Sequence, residues 1–129
     1  MRMVKEAREL EWIRKAIVAT ERGLLAAMRQ VRVGMREHEL KHLIEAEFRA
    51  RGARALAFPS IVGTGRHSAV LHYTGSDAII RAGDMLLCDV GAEFGGYAAD
   101  ITRSFPVDGR FSTEQRAVYE TVLKKTVKP

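Results

Sequence analysis

Apolar and polar positions divide the chain into two helices, a group of short strands and a third helix. From Val4 to about Val31, apolar residues recur every three or four positions, which predicts an amphipathic helix with Leu10, Ile13, Ile17, Leu24, Met28 and Val31 on its buried face. Gly34 is expected to end this helix. A second helix is predicted from about Arg36 to Arg51, because Gly52 occupies the position that commonly follows a helix.

After Ala53 the pattern changes to short apolar runs separated by Gly, Pro, Ser and Asp, which is typical of strands and turns. The runs are ALAFPSIVGTG, AVLHYTG, DMLLCDVGAEF and GYAADITRSF. The final segment, STEQRAVYETVLKK, predicts a helix with Ser112 as its N-cap, and Gln115 completes a capping box. Neighbouring strands joined by turns form antiparallel sheets, so the predicted class is α+β, with two helices, an antiparallel sheet and one helix.

Composition narrows the class of protein further. A chain of 129 residues with 47% apolar content fits one globular domain or less. No apolar run approaches the roughly 18 residues of a membrane span, and the first residues lack the apolar core of a signal peptide, so we expect no membrane association and a cytoplasmic location. The single cysteine, Cys88, agrees with a reducing compartment. The net charge of +5 is dispersed among acidic residues, so no nucleic-acid partner is expected.

The stretch HELKH, residues 38 to 42, matches the H-E-x-x-H pattern of helical zinc sites. On a helical wheel the apolar stripe passes through Leu40, Ile44 and Phe48, whereas His38 and His42 lie roughly 160° and 200° away from Leu40. The two imidazoles therefore point away from the face that would enclose a metal. We expect a solvated histidine pair and no zinc site here.

Two carboxylates on a predicted hairpin are stronger candidates for metal chemistry. Gly95 and Gly96 separate two apolar runs, as in a two-residue hairpin turn. With that turn, Asp89 pairs across the strands with Thr102, and Asp100 lies on the same face. Diagonal neighbours on one face are about 7 to 8 Å apart at Cα, which lets both carboxylates reach a shared cation.

The same alternation sends Cys88 and Arg103 to the opposite face, so Cys88 is expected in the core and not as a ligand. Without Arg103, the two carboxylates lack a compensating charge on this hairpin, and a divalent metal would supply one. On the pattern alone a second interpretation stays open, in which Asp89 ends a strand and Asp100 lies at a solvated edge.

These segments together resemble the pita-bread metallopeptidases, the family of methionine aminopeptidase, aminopeptidase P and prolidase. LCDVGAEFGGYAADITRSF is similar to the first metal motif of the family, and GMREHEL, FPSIVGTGRHSAVLHY, RAGDMLLCD and FSTEQRAVYETVL resemble family segments in the same order. The form Y-x-x-D-I-T-R-S-F is closer to aminopeptidase P and prolidase than to methionine aminopeptidase. HELKH overlies a family helix that carries no ligand.

The resemblance implies roles for four residues. Asp89 and Asp100 match the first two metal ligands, and His72 matches a histidine that contacts the substrate near the scissile bond. From the residues alone, an imidazole packed beside Tyr73 is the favoured interpretation of His72, and the resemblance reverses it. Thr102 is expected to hydrogen-bond a ligand carboxylate.

The implied function is hydrolysis of an N-terminal Xaa-Pro peptide bond by an aminopeptidase or dipeptidase with two divalent ions, manganese, cobalt or zinc. We expect residues 1–129 to be the N-terminal half of a pita-bread catalytic domain, with a later His and two Glu in a second half that is absent. Such a half would bind metal weakly or not at all, would be inactive alone, and would self-associate through its exposed sheet. The alternative function is a non-catalytic pita-bread module that binds protein partners.

Overall fold

Three helices frame the chain in a computed structural model that describes residues 3–126. Helix α1 spans Ala7–Gln30, α2 spans Glu37–Ala50 and α3 spans Thr113–Thr126. Gly52, with φ of 92°, follows α2 as predicted, and the capping box of α3 is present in both directions between Ser112 and Gln115. None of the helices within residues 3–126 is both long enough and apolar enough to cross a membrane.

Six short strands form two antiparallel sheets in place of the single sheet that the pattern suggested. They are β1 Ala55–Leu56, β2 Ile61–Thr64, β3 Met85–Val90, β4 Ala92–Phe94, β5 Tyr97–Ala98 and β6 Ile101–Pro106. The sheet orders are β2-β3-β6 and β1-β4-β5. The antiparallel arrangement was predicted correctly.

The long hairpin from β3 to β6 has the predicted register. Asp89 pairs with Thr102 in one sheet and Phe94 with Tyr97 in the other, around a Gly95-Gly96 turn with φ of 58° and 85°. Positive φ at both turn positions is what a two-residue turn of this kind requires. The register therefore continues through both sheets without a bulge.

Gly91 lies where the hairpin passes from one sheet to the other. A Cβ added there would stand 1.9 Å from the carbonyl oxygen of Ala99, which is closer than two non-bonded atoms can approach. Only glycine permits this approach of the two backbones. The absence of a side chain at Gly91 thus lets the backbones of the two hairpin strands come close where the hairpin crosses between the sheets.

One predicted strand is absent. The run AVLHYTG, residues 69–75, follows a 3-10 helix at Gly65–Ala69 and continues as irregular chain to Ala78. His72 has a φ of 51°, which is incompatible with a strand and is the only positive φ of a non-glycine residue within residues 3–126. The segment does contain an apolar run, but hydrogen bonds to a distant part of the chain decide its conformation, as at Tyr73 and Ala78.

The buried face of α1 is also different from the predicted one. It consists of small residues together with one leucine, namely Ala16, Ala19, Thr20, Gly23, Leu24, Ala26 and Ala27. Of the predicted stripe, Leu24 and Val31 are buried as expected, whereas three members remain 38 to 40% exposed, namely Leu10, Ile17 and Met28. The reason is close helix packing, since a Cβ at Gly23 would come within 2.5 Å of the Phe48 ring in α2.

Helix α2 packs on β2, whereas α1 packs mainly on β4 and β5, and the core lies between these two helices and the strands. Leu86, Cys88 and Val90 of β3 are each 0% exposed on this side. Cys88 is therefore a core residue, as predicted, and burial raises the pKa of its thiol to about 12. The alternate residues of β3, including Asp89, face away from α1 and α2, and we call this side the outer face.

Candidate metal centre and active site

Asp89 is positioned by the pairing of β3 with β6. Its carboxylate is half-buried on the outer face, and the hydroxyl of Thr102 directly opposite donates a hydrogen bond of 2.7 Å to Asp89 Oδ1. This contact fixes the orientation of the Asp89 carboxylate. The hydrogen bond that the sequence predicted between Thr102 and this carboxylate is therefore present.

Asp100 follows β5 and lies beside Asp89, at the point where the hairpin crosses between the two sheets. The pKa of the Asp100 carboxyl is raised above its ordinary value, first because surrounding residues displace water from it and second because the negative charge of Asp89 is nearby. Asp100 is itself exposed, so solvent screens part of this repulsion. A cation bound between the two carboxylates would compensate the charge that remains.

A cavity of about 440 Å³ opens above the two carboxylates, which is the size of a small-ligand site. Its lining includes both aspartates and three aromatic rings, those of Phe58, His72 and Tyr73. The structure thus brings Asp89 and Asp100 to one cavity, in agreement with the predicted hairpin register, and it adds His72 to the same lining. A larger groove of about 880 Å³ lies further along the outer face, against α3. Thr102 lines this groove and also bonds to Asp89, so it connects the groove with the candidate site.

The donor set of this cavity suits part of a divalent-metal site. Paired carboxylate oxygens are hard ligands of the kind that manganese and similar ions prefer. Ser60, also in the lining, is 5% exposed, and its hydroxyl has no hydrogen-bond partner within the described residues, so it is available to a polar ligand or water. No three His, Cys, Asp or Glu side chains of residues 3–126 form a group able to hold a metal, so further ligands would be needed.

Lys41 adds a positive charge to the lining of the same cavity. It belongs to HELKH in α2, outside the hairpin whose own basic residues leave the two aspartates without a balancing charge. The charge deficit around Asp89 and Asp100 is therefore smaller than the hairpin alone suggests. Lys41 makes no ion pair with either aspartate within 4.0 Å among the contacts described.

The histidines of HELKH do not form a zinc site with any third ligand of the described chain. Their rings are 5.9 Å apart, and His42 is exposed as expected. His38 differs from the expectation because it is half-buried, with its Nδ1 within 3.1 Å of the Ser76 carbonyl oxygen. The contact ties α2 to the segment that carries His72.

Glu37, the first residue of α2, is 0% exposed and was not among the residues predicted for the site. Its carboxylate accepts hydrogen bonds from the backbone N–H of Thr64 and the hydroxyl of Tyr73, both at 2.8 Å. The helical wheel held a signal for it, since Glu37 lies roughly 60° from Leu40 and so within the apolar stripe of α2. A carboxylate on a buried face needs dedicated partners.

The chain belongs to metallopeptidase family M24, whose model matches residues 11–127. It is 42% identical to the Xaa-Pro aminopeptidase of Escherichia coli K12 over 124 residues, which is 96% of this chain and 28% of that protein. It is 41% identical to the human Xaa-Pro dipeptidase over 130 residues, with 97% and 26% of the two chains covered. The chain therefore spans little more than a quarter of the length of these relatives.

Solved structures agree with this assignment. Aminopeptidase PepP of Pseudomonas aeruginosa matches with a TM-score of 0.90 and 46% identity over 93% of this chain and 27% of its own. A variant of E. coli aminopeptidase P in complex with substrate matches with a TM-score of 0.93 and 42% identity, covering 96% and 28%. Zinc-substituted E. coli aminopeptidase P in complex with product has a TM-score of 0.92, also at 42% identity, with the same coverage. The predicted pita-bread type of α+β fold is confirmed.

Proposed function

We propose that residues 1–129 are the first half of the catalytic domain of a dinuclear metal aminopeptidase or dipeptidase that hydrolyses Xaa-Pro peptide bonds. The observation that carries this proposal is the pair Asp89 and Asp100, side by side under one cavity with His72. The names of the relatives, Xaa-Pro aminopeptidase and Xaa-Pro dipeptidase, support the substrate class.

Each residue has a distinct role in this proposal. Asp89 and Asp100 would hold the metal, and Thr102 keeps Asp89 in one orientation through its hydrogen bond. His72, exposed at the cavity, contacts the peptide and can hold or pass a proton near the scissile bond. When bound, two divalent ions of manganese, cobalt or zinc would polarise the scissile carbonyl and lower the pKa of a bound water.

Metal binding to the purified chain tests the proposal. Calorimetric titration with manganese should show weak binding to the wild type and its loss in Asp89→Asn and in Asp100→Asn. Asp77→Asn, which removes an equally charged and 92% exposed side chain, should bind like the wild type, as should His38→Ala combined with His42→Ala. Equal manganese affinity in all of these variants would refute the assignment of the two ligands and favour a non-catalytic module.

Cleavage provides a second measurement. The purified chain with manganese should not release the N-terminal residue of an Xaa-Pro peptide at a detectable rate, because its two carboxylates are only part of a ligand set. Rapid turnover by this chain that is abolished by Asp100→Asn would support the enzyme class but contradict the incomplete site. We further propose that the protein is cytoplasmic. Its proposed partners are a peptide substrate and other copies of the same chain.

Self-association is expected through the outer face of the sheet and α3. No residue of α3 is buried, and its apolar residues Val118, Val122 and Leu123 are 67%, 58% and 46% exposed beside the larger groove. Exposed apolar surface of this kind is unusual on a monomer, and two copies related by a twofold axis would cover it with the same surface on each chain. Sedimentation with and without manganese tests this, and a compact monomer at tens of micromolar in both conditions would refute it.

A further inference from the structure

The carboxylate of Glu37 is the centre of a hydrogen-bonded cluster beside the candidate site. Glu37 Oε1 accepts the N–H of Thr64 at 2.8 Å and lies 3.1 Å from His67 Nδ1, while Oε2 accepts the hydroxyl of Tyr73 at 2.8 Å and the N–H of Ala78 at 3.3 Å. All four partners belong to residues 64–78. One side chain of α2 therefore holds the start, the middle and the end of this segment.

Nearby contacts of the segment converge on the same carboxylate. The rings of His67 and Tyr73 stack with centroids 4.5 Å apart and planes inclined by 27°. Tyr73 packs in turn against Gly75, where an added Cβ would come within 2.3 Å of its hydroxyl oxygen. Loss of hydration, followed by the hydrogen bond to Glu37, raises the pKa of Tyr73 to about 12, so the hydroxyl stays a donor.

His72 directly precedes Tyr73 and has the opposite character. It is exposed, lines the cavity with Asp89 and Asp100, and has a φ of 51° in the left-handed region that side chains other than glycine rarely adopt. Such a conformation persists when the surrounding structure over-determines it. The adjacent Tyr73 donates its hydroxyl hydrogen bond to Glu37 and stacks its ring on His67.

We propose that Glu37 is a positioning residue, whose buried carboxylate anchors residues 64–78 and thereby presents His72 to the cavity beside Asp89 and Asp100. The consequence for catalysis rests on the proposed function, in which His72 contacts the peptide. The positioning itself depends only on the geometry of this chain. Glu37 does not line the cavity, so it acts through Tyr73, which does.

The variant Glu37→Gln tests this with almost no change in volume. The glutamine amide keeps one acceptor oxygen, but its NH₂ group is a donor and replaces the other oxygen. Two of the four groups that contact the Glu37 carboxylate would then face a donor and lose their acceptor. The matched control is Glu45→Gln on the same helix, because Glu45 is 7% exposed and its Oε1 has no partner within residues 3–126. Both variants remove one buried negative charge from α2, but only Glu37 contacts the segment of His72.

Two measurements on the isotopically labelled chain separate positioning from plain stability. Amide hydrogen exchange in residues 65–78 should become at least about tenfold faster in Glu37→Gln, while the amides of β3 and β6 keep their wild-type rates. The ring signals of His72 in nitrogen-proton correlation spectra should shift in Glu37→Gln. Neither change is expected in Glu45→Gln.

Unchanged His72 ring signals in Glu37→Gln would overturn the proposal, even if that variant unfolds more easily. Exchange that becomes faster throughout the chain, or equally in Glu45→Gln, would also overturn it. If Glu37→Gln does not fold, Tyr73→Phe carries the test, because it removes one hydrogen bond and keeps the carboxylate with its other partners. Tyr73→Phe should then shift the His72 signals, and wild-type signals in that variant would refute the positioning.

Manganese distinguishes failure of this inference from failure of the proposed function. In the wild type, manganese bound at Asp89 and Asp100 should broaden the ring signals of His72, and this broadening should be weaker in Glu37→Gln. If the wild type shows no broadening, the metal site is refuted, while the metal-free shifts of His72 still decide the role of Glu37.

Discussion

Replacement of Thr20 by valine should weaken the contact between helix α1 and the hairpin that carries the candidate site. Thr20 is 0% exposed, and its hydroxyl donates to the carbonyl of Ala16 at 2.8 Å and accepts the N–H of Ala92 at 2.9 Å. Valine has nearly the same shape, so the substitution opens no cavity. It leaves the N–H of Ala92, in a residue that is itself 0% exposed, without an acceptor.

The cost follows from that single orphaned donor. An unsatisfied buried backbone group costs about 1–3 kcal/mol, so Thr20→Val should lower the free energy of unfolding by about 2 kcal/mol. For a chain of this length that corresponds to a decrease of roughly 8 °C in Tm. Urea unfolding followed by circular dichroism measures the free energy, and the slope with urea should not change, because the native fold is retained.

Thr121→Val is the matched control. Thr121 makes the same hydroxyl bond to the carbonyl four residues earlier, to Ala117 at 2.8 Å, but it lies on the exposed helix α3 and accepts no strand N–H in the contacts described. Its replacement should change stability by less than about 0.5 kcal/mol. Equal effects of Thr20→Val and Thr121→Val would refute the argument, because they would show that the bond to Ala92 contributes nothing.

Three further outcomes are expected. The raised pKa of Asp100 means that the folded chain binds this proton more tightly than the unfolded chain, so metal-free stability falls as pH rises from about 4 through the folded pKa. Asp100→Asn should therefore gain stability over the wild type between pH 4 and 7 in urea titrations with chelator, and a difference independent of pH would contradict the charge effect of Asp89. Gly91→Ala should cost about 3 kcal/mol or more because its Cβ meets backbone at 1.9 Å, whereas Gly96→Ala, in open space with φ of 85°, should cost about 1 kcal/mol in the same assay. Cys88 should resist a thiol reagent until the chain unfolds, given its full burial and a thiol pKa of about 12, and rapid native labelling would disprove that burial.

The register of the long hairpin was predictable because it depends on local rules. Two glycines between apolar runs specify a two-residue turn, and alternation along each strand then assigns every side chain to a face. Asp89 opposite Thr102, Asp100 on the same side and Cys88 in the core all follow from these rules. The end of α2 just before Gly52 was predictable for the same reason, because a glycine with positive φ after a helix is a local signal.

Only the tertiary structure decided which face of α1 is buried and where His72 lies. Hydrophobicity favoured the face with Leu10, Ile17 and Met28, but close contact of two helices at Gly23 selects a face of small residues. That selection depends on the shape of helix α2, which is distant in sequence from Gly23. A count of apolar positions within α1 carries no information about that shape.

The segment before β3 shows the same limit more sharply. Its apolar run favours a strand, yet the hydrogen bonds of Glu37 to residues up to 41 positions away hold it as irregular chain, with His72 at a positive φ. The sequence by itself determined the carboxylate pair, since turn and alternation act over a few residues. The placement of His72 beside that pair was decided by a buried charge that must find its donors, and those donors come together only when the chain is folded.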